Sequence, residues 1–311
     1  MIKNSEKKDA NRLASYGQGN AAAFGEVDII AKILDIIGPE QAVNWCVEFG
    51  AGNGLSASNS RRFIVDSKYS AVLIEPVNFR YKLLESLYKD NNAVITLESF
   101  VTYEGDSTLD NLLANTNIPV EFDFLSIDID GNDYHVWKAV ENYSPKVVII
   151  EFNETVPPSI RFVQDADPRV NQGCGLRSLC ELGKVKGYEL VCVTTTNAFF
   201  VKQEHFAKFD IFDNSPETMH PSPELITHLF VGYDGKIFLT GNSRLRWHSM
   251  DISPVKLQQL PKLIQKFPPN YNFIERFIFR IWRFKSNPKA FVQSIYSKRG
   301  KITKAGLSVK K

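Results

Sequence analysis

The sequence predicts an open, doubly wound α/β sheet, mostly parallel and finished by a C-terminal antiparallel hairpin. Three observations carry this. Short apolar runs recur at regular intervals between residues 45 and 151, each stops at an acid or a glycine turn, and the runs are nearly continuous rather than alternating, as strands covered on both faces require. They are Trp45-Cys-Val-Glu48-Phe-Gly50, Val72-Leu-Ile-Glu75, Val94-Ile-Thr-Leu-Glu-Ser99, Phe122-Asp-Phe-Leu-Ser-Ile-Asp128 and Val147-Val-Ile-Ile-Glu151. Tyr188–Val193 and Ala198–Val201 follow, separated by Thr194-Thr-Thr-Asn197, short enough for a hairpin.

Taken in order, residues 1–15 read as a polar lead-in. Val27, Ile30, Ile33, Leu34 and Ile37 recur at helical spacing and stop at Gly38, which predicts a helix over 26–38. Helices are expected at Ser56–Val65, Phe79–Tyr88, Leu109–Leu113 and Asp133–Val140, between the strands. A loop-rich insert, Glu154 to Gly175, precedes a helix at Leu176–Lys186. The expected organisation is a lead-in and helix (1–38), the sheet core (39–205), an extension over the acceptor side (206–254) and a basic tail (255–311).

The chain has 311 residues, 43% hydrophobic and 23% charged, enough to bury a sizeable core. Cys46, Cys174, Cys180 and Cys192 are scattered, with no C-x-x-C pair, so reduced and buried thiols are expected. No apolar run approaches the roughly 18 residues of a membrane span, and a cytoplasmic protein is expected. Charge is divided unevenly. Of 37 basic and 35 acidic residues, 14 and 1 fall in 255–311, which leaves 23 and 34 in the body.

Gly50, Gly52 and Gly54 break the first strand with G-x-G-x-G spacing, whereas a pyrophosphate site needs G-x-G-x-x-G; position 55 is leucine. A nucleotide-type cofactor without a phosphate fits better. Glu75, ending the second strand, is placed to accept hydrogen bonds from both hydroxyls of a ribose. Asp128 and Asp130 end the fourth strand and Glu151 and Asn153 the fifth, so carboxylates converge where open sheets bind ligands.

As a set, Glu48-Phe-Gly-Ala-Gly-Asn-Gly54, Ile74-Glu75-Pro76, Leu109-Asp110, Ser126-Ile-Asp-Ile-Asp-Gly131 and Ile150-Glu151-Phe-Asn153 resemble the FkbM-like branch of class I S-adenosylmethionine-dependent methyltransferases, over residues 16–202. The resemblance implies a Rossmann-like methyltransferase sheet and an S-adenosyl-L-methionine cofactor. It implies that Glu48 approaches the cofactor's amino-acid end, that Ser99 and Phe100 line the adenine, and that Gly50, Gly52, Asn53 and Asp128 complete the cofactor site. Members of that branch often carry Asp where this chain has Asn53. It also implies O-methylation of a sugar or similar hydroxylated acceptor, in polysaccharide or secondary-metabolite assembly.

Two readings of the reacting site follow. In the preferred one, Asp128 or the adjacent His135, with Asp130 beside them, takes or orients the proton of the acceptor hydroxyl. In the other, Asp128, Asp130 and Glu151 hold a divalent cation, Mg²⁺ by the hardness of the ligands. His205, His220, His228 and His248 lie beyond the sheet and are weaker candidates. His220-Pro-Ser-Pro and Arg244-Leu-Arg-Trp-His248 offer basic and aromatic groups that suit a phosphorylated or sugar acceptor. A nicotinamide-dependent sugar oxidoreductase is the rival enzyme, opposed by the glycine spacing and the hairpin. A non-catalytic scaffold recruited through its tail is the rival outside enzymes, opposed by Glu48, Glu75 and Asp128.

In the tail, Arg276, Arg280 and Arg283 form one helical stripe and Phe273, Phe277, Ile281 and Phe284 another. That pattern fits an anionic membrane surface, with 270–311 on the inner face, or packing against the acidic body or a second subunit. A nucleic-acid partner is not expected, since the body is acidic and no reader motif is present.

Overall fold

The computed structural model describes residues 11–19, 25–221, 223–289 and 291–293; residues 1–10 of the expected lead-in and 294–311 of the tail lie outside them. The chain divides into two compact units, Met1–Ile226 and Thr227–Lys311.

The first unit is built on a seven-stranded sheet: β1 Trp45–Phe49, β2 Ser70–Ile74, β3 Val94–Leu97, β4 Phe124–Ile127, β5 Val147–Glu151, β6 Tyr188–Val193 and β7 Asn197–Lys202, in spatial order β3-β2-β1-β4-β5-β7-β6. The first five are mutually parallel, and β7 runs antiparallel to both β5 and β6. This is the doubly wound sheet with a terminal hairpin that the apolar runs require. The strand order reverses at β1 and β4, and their carboxyl ends open the crevice where such sheets take ligands.

Alternate residues of each strand serve opposite cores, which is why the runs are continuous. Val47, Val72, Leu125, Val148 and Ile150 join one cluster, while Cys46, Ala71, Leu73, Phe124, Val147 and Ile149 join the other. Helix α1, Glu26–Ile37, lays Ile29, Ile30, Ile33 and Ile37 on the second face. Helices α4 (Leu109–Ala114), α5 (Asp133–Ala139) and α6 (Leu176–Val185) cover the first. All four cysteines are buried and free, as expected. At the amino ends of the strands, away from the crevice, Asp123 accepts from the Asn44 amide (2.8 Å) and Lys146 Nζ (2.8 Å), fixing the entries to β1 and β5.

One helix start differs from expectation by more than two residues. The helix after the glycine turn, α2, spans Arg61–Ser67 and not Ser56–Val65. The buried carboxylate of Glu48 collects the Ser58 hydroxyl (2.8 Å), the amides of Asn59 (2.7 Å) and Ser60 (3.2 Å) and the Ser60 hydroxyl, which holds 58–60 out of helix. Helix α3, Asn78–Tyr88, follows β2 as anticipated.

The second unit pairs β8, Thr227–Val231, with β9, Ile237–Gly241, antiparallel, and contains helix α7, Phe273–Ser286. A capping box starts α7: the Asn272 side chain accepts from the Glu275 amide, and Glu275 accepts from the Asn272 amide. Among the described residues no helix is long and apolar enough to cross a membrane.

Candidate functional site

Strand register places the site. Phe49 pairs with both Ile74 and Ile127, and Ile127 pairs with Ile150. The next residue on each strand is therefore Glu75, Gly50, Asp128 and Glu151, side by side in one row at the carboxyl edge of the sheet. Register partners on parallel strands project to the same face, so three acids and one glycine share that row.

Gly50 adopts φ 76°, and a Cβ there would lie 1.9 Å from the Asp128 carbonyl oxygen, so the β1 and β4 ends touch backbone to backbone. Gly52 differs: at φ 57° a Cβ would meet nothing within 4 Å, so the turn faces open space. Glu75 is 2% exposed and ties the turn down, accepting from the Gly52 amide on Oε2 (2.8 Å) and the Val77 amide on Oε1 (2.8 Å). Each oxygen keeps a second lone pair for a hydroxyl. The Asn53 side-chain oxygen accepts from the Leu55 and Ser56 amides (both 3.0 Å), shaping the turn. Phe100, 70% exposed, presents a ring beyond the end of β3, and the Ser99 hydroxyl donates to its carbonyl (2.9 Å).

Glu48 lies behind the turn, buried under its bonds to Ser58, Asn59 and Ser60, and burial raises its pKa. The resemblance expects Glu48 at the cofactor's amino-acid end. Here the hydrogen bonds of its carboxylate go to the 58–60 loop. Asn59 Nδ2 donates to Ser126 Oγ (3.0 Å), while its buried Oδ1 has no hydrogen-bond partner among the described residues.

The acids of β4 and β5 do converge. Single carboxylate oxygens of Asp128, Asp130 and Glu151 lie within 4.8 Å of one another. Although Asp128 is exposed as a residue, desolvation of its carboxyl is the largest effect on it, and Asp133, Asp130, Glu26 and Glu48 add to that, to about 7. Glu151 is pushed to about 9, first by burial and then by Asp128, Asp133 and Asp130. Asp133 holds the turn by accepting from the Ile129 (2.9 Å) and Gly131 (2.8 Å) amides; Asn132, at the N-cap of α5, makes no side-chain cap.

His135 turns toward the insert. Its Nε2 lies 2.9 Å from the Gln164 carbonyl, an acceptor, so Nε2 carries the hydrogen. The insert itself is a built wall. Gln164 accepts from the Gln172 (2.7 Å) and Gly173 (2.8 Å) amides, Asn171 donates to the Asp130 carbonyl (2.9 Å), and the Tyr103 hydroxyl donates to the Ala166 carbonyl (2.7 Å). His220 is buried with Nε2 3.1 Å from the Glu154 carbonyl, at the base of the same insert.

The raised acids have a consequence for stability. Glu151 binds its proton more tightly folded than unfolded, so between about pH 4 and about pH 9 the folded state holds the extra proton and loses stability as pH rises. Glu151→Gln is expected to raise the thermal midpoint at about pH 8 and leave it unchanged at about pH 4. Equal effects at both pH values would show that ionisation of Glu151 is not the cause.

Sequence reading missed Glu26. Its Oε1 accepts from Asn197 (2.6 Å) and Thr194 (3.2 Å), and burial raises its pKa. A signal existed: Glu26 falls on the buried stripe Ile30, Ile33 and Ile37, where an apolar residue is the rule. Ser58, Asn59 and Ser60 gave none, because Glu48 and Ser126 reach them only through the fold, and Gln164 gave none, because its partners lie in an irregular loop with no periodic pattern.

No family model matches the chain, and no curated protein matches it. Solved structures similar to it include an O-methyltransferase from Bacillus cereus in complex with SAH (18% identity, 65% of this chain and 93% of that one, TM-score 0.39). A putative O-methyltransferase from Klebsiella pneumoniae is also similar (18% identity, 64% and 89%, TM-score 0.38). So is the CurJ carbon methyltransferase (9% identity, 61% and 57%, TM-score 0.39); the chain spans less than two thirds of that protein's length. At such scores the assignment of the fold rests on strand order and register.

Proposed function

We propose that this chain is an S-adenosylmethionine-dependent O-methyltransferase of the FkbM-like kind, acting on a hydroxyl of a sugar or similar acceptor. One observation carries the reading: a glycine turn with open space above Gly52 adjoins a crevice in which carboxyl groups of Asp128, Asp130 and Glu151 converge. Carboxyl groups crowded toward the neutral form ionise beside a cation, so the crevice favours a cofactor bearing a sulfonium and an ammonium over one bearing a pyrophosphate, which counts against the nicotinamide alternative. The residues present fit the cofactor. Glu75 has free lone pairs for ribose hydroxyls, the exposed Phe100 ring offers a face to adenine, and Asn59 Oδ1 is a buried acceptor for the ammonium.

When bound, the cofactor supplies an electrophilic methyl group. The chain's own part is to position and deprotonate the acceptor: at a pKa of about 7, Asp128 is able to accept the hydroxyl's proton near neutrality, when its oxygen takes the methyl. Asp130 and Glu151 border the same space and orient the acceptor. A second reading is favoured by the meeting of three carboxylates: Asp128, Asp130 and Glu151 would hold Mg²⁺ as hard oxygen ligands, and the ion would supply Lewis-acid activation of the acceptor.

Calorimetric titration with S-adenosylmethionine, S-adenosylhomocysteine and NAD tests the class. Binding of the first two alone supports the proposal; binding of NAD alone overturns it, and binding of none favours a scaffold. Glu75→Ala is expected to weaken S-adenosylhomocysteine binding by about 10–100-fold, the loss of one or two hydrogen bonds to a charged group. Unchanged affinity in a folded variant would remove Glu75 from the site. A magnesium titration that gives no heat, with activity unaffected by chelator, would dispose of the metal reading.

A further inference from the structure

Helix α7 has two apolar faces: one packs within its own unit, and on the other Phe284 meets the Phe291 ring at 5.6 Å while the rest of the face stays exposed. At about 100° per residue, Ile278, Phe279, Trp282 and Glu275 share the inward side of its 14 residues. Glu275 is buried and accepts from Lys266 Nζ (2.5 Å), and the Phe279 ring lies 5.6 Å from Tyr271 and 6.4 Å from Trp282. The opposite side holds Phe273, Ile274, Phe277, Ile281 and Phe284 within an arc of about 100°. All five are exposed, from 43% at Ile281 to 87% at Phe273. Arg276, Arg280 and Arg283 edge that arc on one side and Lys285 on the other.

Five large hydrophobic side chains gathered on one exposed arc mark an interaction surface. Its charge restricts the occupant. Residues 227–311 hold 17 of the chain's basic residues and 3 of its acidic ones, so a second copy laid face to face on this arc would meet strong like-charge repulsion. Arginines bordering an apolar arc match a surface that carries anions in its outer layer and hydrocarbon a few ångströms beneath, since their long stems let the guanidinium groups rise while the rings sink.

We propose that the Phe273–Phe284 arc seats α7 in the headgroup layer of an anionic lipid bilayer and holds the chain at that surface. The inward face keeps α7 attached to its own unit, and the outward face is the membrane anchor.

The test is sedimentation of the full chain with vesicles of phosphatidylcholine alone and with about 30% phosphatidylglycerol. Binding to the anionic vesicles only is expected, with loss of about fivefold in partitioning for each of Arg280→Gln and Arg283→Gln. Phe277→Gln with Ile281→Gln should abolish binding while leaving the near-ultraviolet circular dichroism and the S-adenosylhomocysteine titration unchanged. Three results would overturn the proposal: no binding by the unmodified chain, binding indifferent to these substitutions, or a self-associated or body-bound state that the Phe277→Gln/Ile281→Gln variant dissolves. None of these depends on the chain being a methyltransferase.

Discussion

Asp128→Asn is expected to lower turnover by about 10²–10⁴-fold while leaving S-adenosylhomocysteine affinity near that of the unmodified chain. Asparagine keeps the shape of the side chain and cannot take a proton. The charge removed is small at about pH 6, because Asp128 titrates at about 7 and is then mostly protonated, so affinity measured there isolates the chemical step. The same pKa predicts that kcat/KM of the unmodified enzyme rises with pH up to about 7 as Asp128 loses its proton, and that this limb disappears in the variant. Turnover within tenfold of the unmodified chain, or affinity lost while turnover survives, would remove Asp128 from the reacting role.

The second large effect separates two glycines two residues apart. In Gly50→Ala the new Cβ would meet the Asp128 carbonyl oxygen at 1.9 Å, backbone that cannot step aside without parting β1 from β4. Left-handed strain of about 1–2 kcal/mol and overpacking of about 1–3 kcal/mol together give a loss of about 2–5 kcal/mol. At roughly 2–4 °C per kcal/mol this is a drop in thermal midpoint of about 4–20 °C. Gly52→Ala meets nothing within 4 Å, so only the strain remains, and its midpoint should fall by far less. If a cofactor lies against the turn, however, Gly52→Ala will fill the space that the ligand needs. Differential scanning calorimetry and a cofactor titration on both variants check this. A Gly50 variant as stable as the parent would contradict the contact between the strand ends.

The apolar runs, their spacing and the terminal Thr194–Asn197 turn were sufficient to define the sheet, because a strand buried on both faces has no choice but to be apolar throughout. Asp128, Asp130, Glu151 and Glu75 were legible as site residues for a related reason: acids that follow such runs must emerge at the strand ends. The start of α2 was not legible, because Ser58–Ser60 look like the beginning of a helix until Glu48, ten residues earlier, takes their donors.

What the sequence determined by itself is local and periodic: which segments are strands, that an acid or a glycine ends most of them, and that residues 273–285 form a basic helix with one bulky stripe. What tertiary structure alone decided is register and convergence. Only pairing of Phe49 with Ile74 and Ile127 sets Gly50 between Glu75 and Asp128, and only the folding back of α1 and the insert brings Glu26 and Gln164 to the crevice wall. Desolvation and the repulsion among carboxylates that shift Asp128 and Glu151 act through space, at distances the chain sets only once it has folded.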